Sequence, residues 1–280
     1  MFPAGLVGYR TRSEVLSSGE RIRVVEIGPV DGKPVVFIPG LGCSIWDFNR
    51  TLAPVAEAGF RAIAIDVRGH GLSDKPDDDE LYSTDALVRH LIDIFDTLGI
   101  TQAAIVGHSM GGALAAHLAL RAPDRVRALV LISPVGFGIA RVADIGRALL
   151  PRWMGPVAQA GLRRAVVEAG LRLVYSSRVH VTERNVDEYW APSQFSRFVP
   201  AMRCLLHHFR WTVFANAELE RMRSPCLIIR GGCDRVVRAP RAPFTLPSMF
   251  REVIVADAGH LPHDEAPDRV NAEIIAFLRQ

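Results

Sequence analysis

The sequence lacks several features that would place it in a specialised class of protein. Its 280 residues include four cysteines, with no C-x-x-C spacing and no histidine cluster beside them: Cys43, Cys204, Cys226 and Cys233. This usage does not indicate a disulfide framework or a zinc site, and it is typical of free thiols in a reducing cytoplasm. We therefore expect a cytoplasmic protein that needs no metal and no cofactor.

Long apolar runs and a strong net charge are also absent. No stretch approaches the ~18 apolar residues of a membrane span, and the N-terminal segment lacks the positive start and apolar core of a secretory signal. The formal net charge is only +3, with no block of basic residues interleaved with aromatic ones. We expect no membrane span and no nucleic-acid partner, and the sequence does not specify an oligomeric state.

What the sequence does contain is a regular alternation of short apolar strands and helical segments. Strands are predicted at 22–27, 34–40, 60–66, 103–106, 127–134, 225–232 and 251–259. Helices are predicted at 45–59, at 83–99, from Met110 onward and from Pro267 to the C-terminus. Since several strands are uninterrupted apolar runs, they indicate parallel strands buried on both faces. The predicted fold class is α/β, with a mostly parallel central sheet flanked by helices.

One segment, residues 137–216, interrupts this alternation. It holds no convincing strand, contains helical stretches such as 157–175, and is far too long for a loop. We predict an inserted helical cap here, between a first core part at 1–136 and a second at 217–280. The cap carries ten aromatic residues, which predict an apolar roof over a pocket: Phe137, Trp153, Tyr175, Tyr189, Trp190, Phe195, Phe198, Phe209, Trp211 and Phe214. The same segment carries eleven arginines and five acidic residues, so a negatively charged substrate stays an alternative.

A serine lies where a strand turns abruptly into a helix, in the stretch "AIVGHSMGGALAAH". The pattern G-x-S-x-G is weak alone, but a buried strand before it and a helix directly after it are what a nucleophile elbow requires. Gly107 and Gly111 leave room where the two backbones crowd together. The helix start aims free amide groups at the serine hydroxyl. We therefore predict Ser109 as a catalytic nucleophile.

A serine nucleophile needs a base, and the base needs a carboxylate to orient it. We predict His260 as the base, because it follows the last predicted strand, where a loop can reach Ser109; His263 is its rival three residues on. We predict Asp234 as the orienting carboxylate, because it follows the strand at 225–232, at the same end of the sheet. His108 adjoins the serine, but side chains at a tight corner diverge, so we predict a structural histidine there.

A tetrahedral oxyanion also needs hydrogen-bond donors. The amide of Met110, at the helix start, is one candidate. The glycine-rich loop "IPGLGCS" after the strand at 34–40 allows close backbone approach, and we predict the amide of Leu41 as the second donor. Trp46 and Phe48, just beyond this loop, are equally compatible with lining the pocket and with core packing.

The order Ser109, Asp234, His260, with "GHSMGG", "DVRGHGLSD", "GGCDRVV" and "AGHLPHDEAP", resembles the capped branch of the α/β-hydrolase superfamily. The resemblance covers roughly residues 20–280 and implies that fold, with Met110 and Leu41 supplying the oxyanion amides. Two departures stand out: Pro39 replaces the usual histidine before the oxyanion glycine, and there is no HGGG run. The loop therefore resembles the single-glycine class, for which bulky tertiary-alcohol esters are not expected substrates.

The resemblance implies a hydrolase, and the serine excludes relatives that use an aspartate nucleophile to open epoxides or cleave halides. Our leading prediction is a carboxylesterase-like hydrolysis of esters of small to medium apolar acyl groups. An alternative with the same triad is carbon–carbon bond hydrolysis of diketone acids from aromatic degradation. Those relatives usually carry asparagine before the serine and tryptophan after the histidine, where this chain has His108 and Leu261. A ligand receptor on the same scaffold is a further alternative.

Overall fold

The chain folds around one eight-stranded sheet. The computed structural model describes residues 1–140, 142–151, 154–238 and 246–280. The strands in these ranges are β1 (Arg10–Val15), β2 (Arg21–Ile27), β3 (Pro34–Ile38), β4 (Arg61–Asp66), β5 (Ala103–His108), β6 (Val126–Ile132), β7 (Ile139–Ala140), β8 (Cys226–Gly231), β9 (Val237–Arg238) and β10 (Phe250–Val255). The sheet order is β1-β2-β4-β3-β5-β6-β8-β10, antiparallel from β1 to β4 and parallel from there to β10. Strands β7 and β9 form a separate antiparallel pair.

Helices cover both faces of the sheet and create two apolar cores. Along β3, Val36 and Ile38 belong to one core, whereas Val35 and Phe37 belong to the other. The helices are α1 (Leu52–Glu57), α2 (Thr84–Thr97), α3 (Met110–Arg121), α4 (Val142–Leu149), α5 (Gly155–Gly161), α6 (Arg164–Val174), α7 (Glu183–Trp190), α8 (Phe198–His208), α9 (Asn216–Glu220), α10 (Pro262–Glu265) and α11 (Pro267–Leu278). Because successive strand residues point to opposite faces, burial on both sides explains the uninterrupted apolar runs. The predicted α/β class with a mostly parallel sheet is confirmed.

Three local details differ from the sequence-based expectation. The helix predicted at 157–175 is two helices, α5 and α6, which are separated at Leu162–Arg163 just after Gly161. The helix predicted at 45–59 is a 3₁₀ turn over Ile45–Phe48 followed by the short α1. The edge strand β1 was not predicted, because most of its side chains are exposed and it has no apolar pattern.

Helices α4–α8 lie in the segment predicted as a cap, between β6 and β8 in the chain. The boundaries 137–216 of that cap stay a prediction, and residues 141 and 152–153 within it lie outside the described ranges, Trp153 among them. All four cysteines are described, and none forms a disulfide. None of the helices in the described ranges is long and apolar enough to cross a membrane.

Candidate active site

Ser109 occupies a strained corner between β5 and α3. Its φ of 52° and ψ of −115° lie in a region that residues other than glycine seldom adopt. A Cβ on Gly107 would lie 2.6 Å from the carbonyl oxygen of Gly111, so only glycine lets the strand and the helix approach this closely. Backbone strain of this kind, of order 1–3 kcal/mol, is tolerated where the surrounding structure fixes it, and it clusters at functional sites.

Three residues predicted for the site meet at this corner. Ser109 Oγ lies 3.0 Å from His260 Nε2, and His260 Nδ1 lies 2.9 Å from Asp234 Oδ2. Asp234 follows β8 and His260 follows β10, so both reach Ser109 because the carboxyl ends of parallel strands share one edge of the sheet. The structure therefore brings the serine, the imidazole and the carboxylate into one hydrogen-bonded chain.

The hydrogen bonds of this chain fix how its protons are arranged. Asp234 Oδ1 accepts the amides of Val236 and Val237, at 2.7 and 3.0 Å. Burial opposes ionisation of Asp234, but His260 and these amides outweigh it and lower the pKa of the carboxyl. The carboxylate then accepts His260 Nδ1–H, which leaves the Nε2 lone pair facing the serine hydroxyl. Burial also lowers the pKa of His260, against the pull of Asp234, so the ring is a neutral base at pH 7.

The rival histidine, His263, lies elsewhere. It is buried on α10, with Nε2 3.5 Å from Asp47 Oδ1, and neither ring nitrogen has a hydrogen-bond partner among the described residues. The structure places His260, not His263, against Ser109.

Both predicted oxyanion donors lie beside the corner. Met110 begins α3, and Leu41 lies in residues 39–44, the loop after β3 that we term the oxyanion loop. In the described part of the chain, neither backbone amide donates a hydrogen bond to another backbone carbonyl. The oxyanion loop packs tightly on the corner, since a Cβ on Gly40 would lie 3.2 Å from Ser109 Cβ. Two unpaired donors next to a nucleophile are what a developing oxyanion requires.

Two residues that the sequence analysis did not assign to the site complete its surroundings. Asp47, in the 3₁₀ turn after the oxyanion loop, is buried, and its Oδ2 lies 2.7 Å from His108 Nδ1. Asp47 Oδ2 also accepts the Gly40 amide at 3.1 Å. A buried carboxylate requires a partner, so the acid within the apolar run "SIWDF" was the available signal. Asp47 anchors the oxyanion loop that has Pro39 in place of histidine.

The same residues are the one candidate metal group among the described residues. Ligand atoms of Cys43, Asp47 and His108 all lie within 4.8 Å of one another. Asp47 Oδ2 and His108 Nδ1 are, however, in direct hydrogen-bond contact, and the carboxylate also accepts the Gly40 amide and the Tyr189 hydroxyl. A metal at this group would have to displace the Asp47–His108 hydrogen bond, so the contacts support an ion pair here.

A cavity of about 270 Å³ opens onto Ser109 and His260. The oxyanion loop forms one side, and helix α6 lines another with Val167, Gly170, Leu171 and Val174, which share one helical face at i, i+3, i+4 and i+7. Of the predicted aromatic roof, Tyr189, Phe198 and Trp211 line the cavity. Trp46 and Phe48 instead belong to the core beneath the sheet. No arginine, lysine, aspartate or glutamate is among the described lining residues.

With this geometry established, comparison with known proteins identifies the family. A family model described as the alpha/beta hydrolase fold matches residues 33–267. The chain belongs to the α/β-hydrolase fold family. This α/β hydrolase is 30% identical over 276 residues to the dihydrolipoyllysine-residue acetyltransferase component of the acetoin cleaving system of Pseudomonas putida, covering 94% of this chain and 68% of that protein. It thus spans about two thirds of the length of such acetyltransferase components.

Two further relatives match this α/β hydrolase over nearly their whole length. Epoxide hydrolase A of Mycobacterium tuberculosis is 24% identical, and the match covers 97% of this chain and 98% of that protein. A meta-cleavage product hydrolase from Pseudomonas fluorescens has a solved structure with a TM-score of 0.79 and 24% identity, covering 96% of this chain and 97% of that one. The structural likeness shows that the fold is shared, and these names cover several different reactions.

Proposed function

We propose that this protein is a serine hydrolase that cleaves carboxylic esters of small to medium apolar acyl groups through an acyl-enzyme. The observation that carries the proposal is the hydrogen-bonded chain of Ser109, His260 and Asp234 at the base of an apolar cavity. The family supports hydrolysis in general, and the residues at this corner support the ester as substrate.

The proposed reaction uses the geometry directly. Ser109 Oγ attacks the ester carbonyl while His260 Nε2 accepts its proton, and Asp234 stabilises the imidazolium that forms. The amides of Leu41 and Met110 donate to the oxyanion of the tetrahedral intermediate. His260 then returns the proton to the departing alkoxide, which leaves as the alcohol. Water, activated by His260, attacks the acyl-enzyme, releases the carboxylic acid and restores Ser109.

The cavity supports an apolar acyl group of limited length. Its volume of about 270 Å³ is just below the ~300–1,000 Å³ typical of small-molecule pockets. Leucine and valine residues and three aromatic residues make up most of its lining. A charged acyl group would lose its hydration there without gaining an arginine or lysine partner among the described lining residues, and His108, which also lines the cavity, has both ring nitrogens bonded to Asp47 and the His260 carbonyl.

Carbon–carbon bond hydrolysis of diketone acids is the second candidate, and the fold shared with a meta-cleavage product hydrolase favours it. The described lining residues argue against it, since a diketone acid brings a carboxylate into the pocket. A ligand receptor on the same scaffold would bind without turnover.

A substrate series separates these candidates. We expect nitrophenyl esters of rising acyl length to give a kcat/KM that peaks at short to medium chains, and the Ser109→Ala variant to give no turnover while remaining folded. An ester that bears a carboxylate on its acyl chain should react more slowly than its neutral isostere. Faster turnover of that ester, or cleavage of a diketone acid in preference to any ester, would favour the carbon–carbon reaction. Binding with no turnover of either class would favour a receptor.

A further inference from the structure

Two buried side chains behind Ser109 link four separate parts of the molecule. Asp47 Oδ2 accepts the amide of Gly40 in the oxyanion loop at 3.1 Å, and Asp47 Oδ1 accepts the Tyr189 hydroxyl of α7 at 3.2 Å. His108, the residue before the nucleophile, bonds Asp47 Oδ2 through Nδ1 at 2.7 Å. Its other nitrogen, Nε2, lies 3.0 Å from the main-chain carbonyl oxygen of His260. Neither side chain is needed for the proton transfers proposed above.

The partners of His108 fix its charge. A main-chain carbonyl oxygen can only accept a hydrogen bond, so Nε2 of His108 must carry a proton. Asp47 accepts from the Gly40 amide and the Tyr189 hydroxyl, which is the behaviour of a carboxylate, so Nδ1 of His108 carries a proton too. The ring is therefore an imidazolium paired with a carboxylate. Burial opposes this charge, but Asp47 outweighs it and raises the pKa of His108, while His108 holds the pKa of Asp47 well below its usual range.

We propose that Asp47 and His108 are a charged pair of positioning residues that holds the oxyanion loop and the backbone of His260 in fixed register with Ser109. The inference rests on the proposed function, since it assigns roles relative to that reaction. Through Gly40 the pair fixes the amide of the next residue, Leu41. Through the His260 carbonyl it fixes the chain that carries the base. Neither residue contacts the reacting atoms in this arrangement.

The pair also acts on the charge of the base. The rings of His108 and His260 lie 4.9 Å apart, so an imidazolium at His108 disfavours a second one at His260. The other charged groups facing His260 are Asp234, which is bonded to its Nδ1, and Asp47 beyond His108, and both favour protonation. His263 lies on the far side of His108, with ring centroids 4.8 Å apart. Removal of the His108 cation leaves the two carboxylates unopposed, so protonation of His260 becomes easier.

The test compares three variants with the wild type. His108→Asn removes the cation and one of the two bonds. The double variant Asp47→Asn, His108→Asn removes both charges, so no single charge stays buried without a partner. His70→Asn is the matched control, because His70 is equally buried but bonds only the Arg68 carbonyl within its own loop. The readouts are the rate at which a fluorophosphonate labels Ser109, the separate kcat and KM for a nitrophenyl ester, and the pH profile of kcat/KM.

We expect His108→Asn to slow both labelling and kcat by about 10–10²-fold, the order of a weakened oxyanion donor, with a smaller change in KM. The acid limb of its pH profile should move to higher pH, and less so in the double variant. His70→Asn should change neither. A folded His108→Asn or double variant with labelling and acid limb like the wild type would overturn the inference. Failure of the wild type itself to be labelled or to cleave esters would instead overturn the proposed function.

A measurement on the wild type applies even where a variant fails to fold. With ¹⁵N-labelled histidine at pH 7, His108 should be more fully protonated on both ring nitrogens than an ordinary histidine of pKa near 6.5. A neutral His108 ring at that pH would contradict the pair.

Discussion

The oxyanion loop can be tested by one methyl group, at Gly40. A Cβ built there lies 2.9 Å from His108 Nδ1 and 3.2 Å from Ser109 Cβ. Non-bonded carbon atoms pack best at ~3.5–4.0 Å, so the loop and the corner must separate by about 0.5 Å in Gly40→Ala. The backbone of Gly40 is not in the left-handed region, so the added strain comes from this contact alone. The His108 ring cannot move away freely, because both of its nitrogens are hydrogen-bonded.

The size of the effect follows from the donor that moves. Leu41 is the next residue, so a displaced Gly40 carries the Leu41 amide away from the position of the oxyanion. Complete loss of one such donor costs about 10²–10³ in kcat. A donor displaced by half an ångström retains part of its bond, so we expect kcat to fall by about 10–10²-fold, or about 1.4–2.7 kcal/mol of transition-state stabilisation. KM should change by less than about threefold, since only the side of the cavity formed by the oxyanion loop moves and the walls from α6 and the aromatic residues stay in place.

The assay is steady-state hydrolysis of nitrophenyl butyrate by purified protein, with the thermal unfolding midpoint measured in parallel. Gly161→Ala is the control, because a Cβ there meets no atom within 4 Å and its position lies outside the cavity lining. Wild-type kcat in a folded Gly40→Ala protein would refute the assignment of the oxyanion loop.

The remaining predictions concern the proton relay and the cavity. His260→Ala should lower kcat by several orders of magnitude, because a member of the triad acts as a unit with the serine. His263→Ala should lower kcat by less than about tenfold. The reverse order in stopped-flow assays would make His263 the base. Asp234→Asn should cost about 10³–10⁴ in kcat by favouring the wrong histidine tautomer, and near-normal rates would mean that another carboxylate orients the ring. Gly170 lines the cavity, and a Cβ there meets no atom within 4 Å, so the leucine of Gly170→Leu can extend into the space for the acyl chain. This variant should lower kcat/KM for long acyl esters more than for acetate. Gly161→Leu, outside the cavity lining, should leave the chain-length profile unchanged.

The sheet was predictable because its signals are local. Parallel strands buried on both faces must be apolar throughout, and glycines or polar turns end them, so β3, β5, β6 and β8 are visible in the sequence. The edge strand β1 pairs with β2 and exposes most of its side chains. Its formation depends on hydrogen bonds to the β2 backbone, and its sequence has no apolar pattern from which it could be predicted. The two-residue strands β7 and β9 are too short to show a sequence pattern, and they form by pairing with each other across the fold.

The meeting of the predicted site residues was predictable to the extent that topology determines it. Ser109, Asp234 and His260 follow three parallel strands, and residues at those ends meet wherever the sheet forms. The prediction of His260 over His263 rested on its place directly after a strand, since a three-residue separation on a loop does not itself fix which ring faces the serine; the structure has His260 Nε2 facing Ser109. The pairing of Asp47 with His108, 61 residues apart, left no spacing signal. An acid inside an apolar run indicates that a partner exists and does not identify it.

The strained backbone of Ser109 is held in place by hydrogen bonds from two neighbouring elements, whereas the oxyanion loop beside it is held differently. A backbone in this region persists only where neighbours restrain it, and the amide of Ser109 donates to the Ile132 carbonyl at 2.9 Å. The carbonyl of Ser109 accepts the amides of Ala113 and Val135, at 3.2 and 3.1 Å. Strand β6 and helix α3 therefore hold the corner from both sides, and burial of the whole sheet offsets the local strain. The oxyanion loop has no such ladder, because β3 ends at Ile38 before the loop begins. Its Gly40 amide is bonded to Asp47, so in the proposed mechanism this carboxylate sets the position of the Leu41 donor.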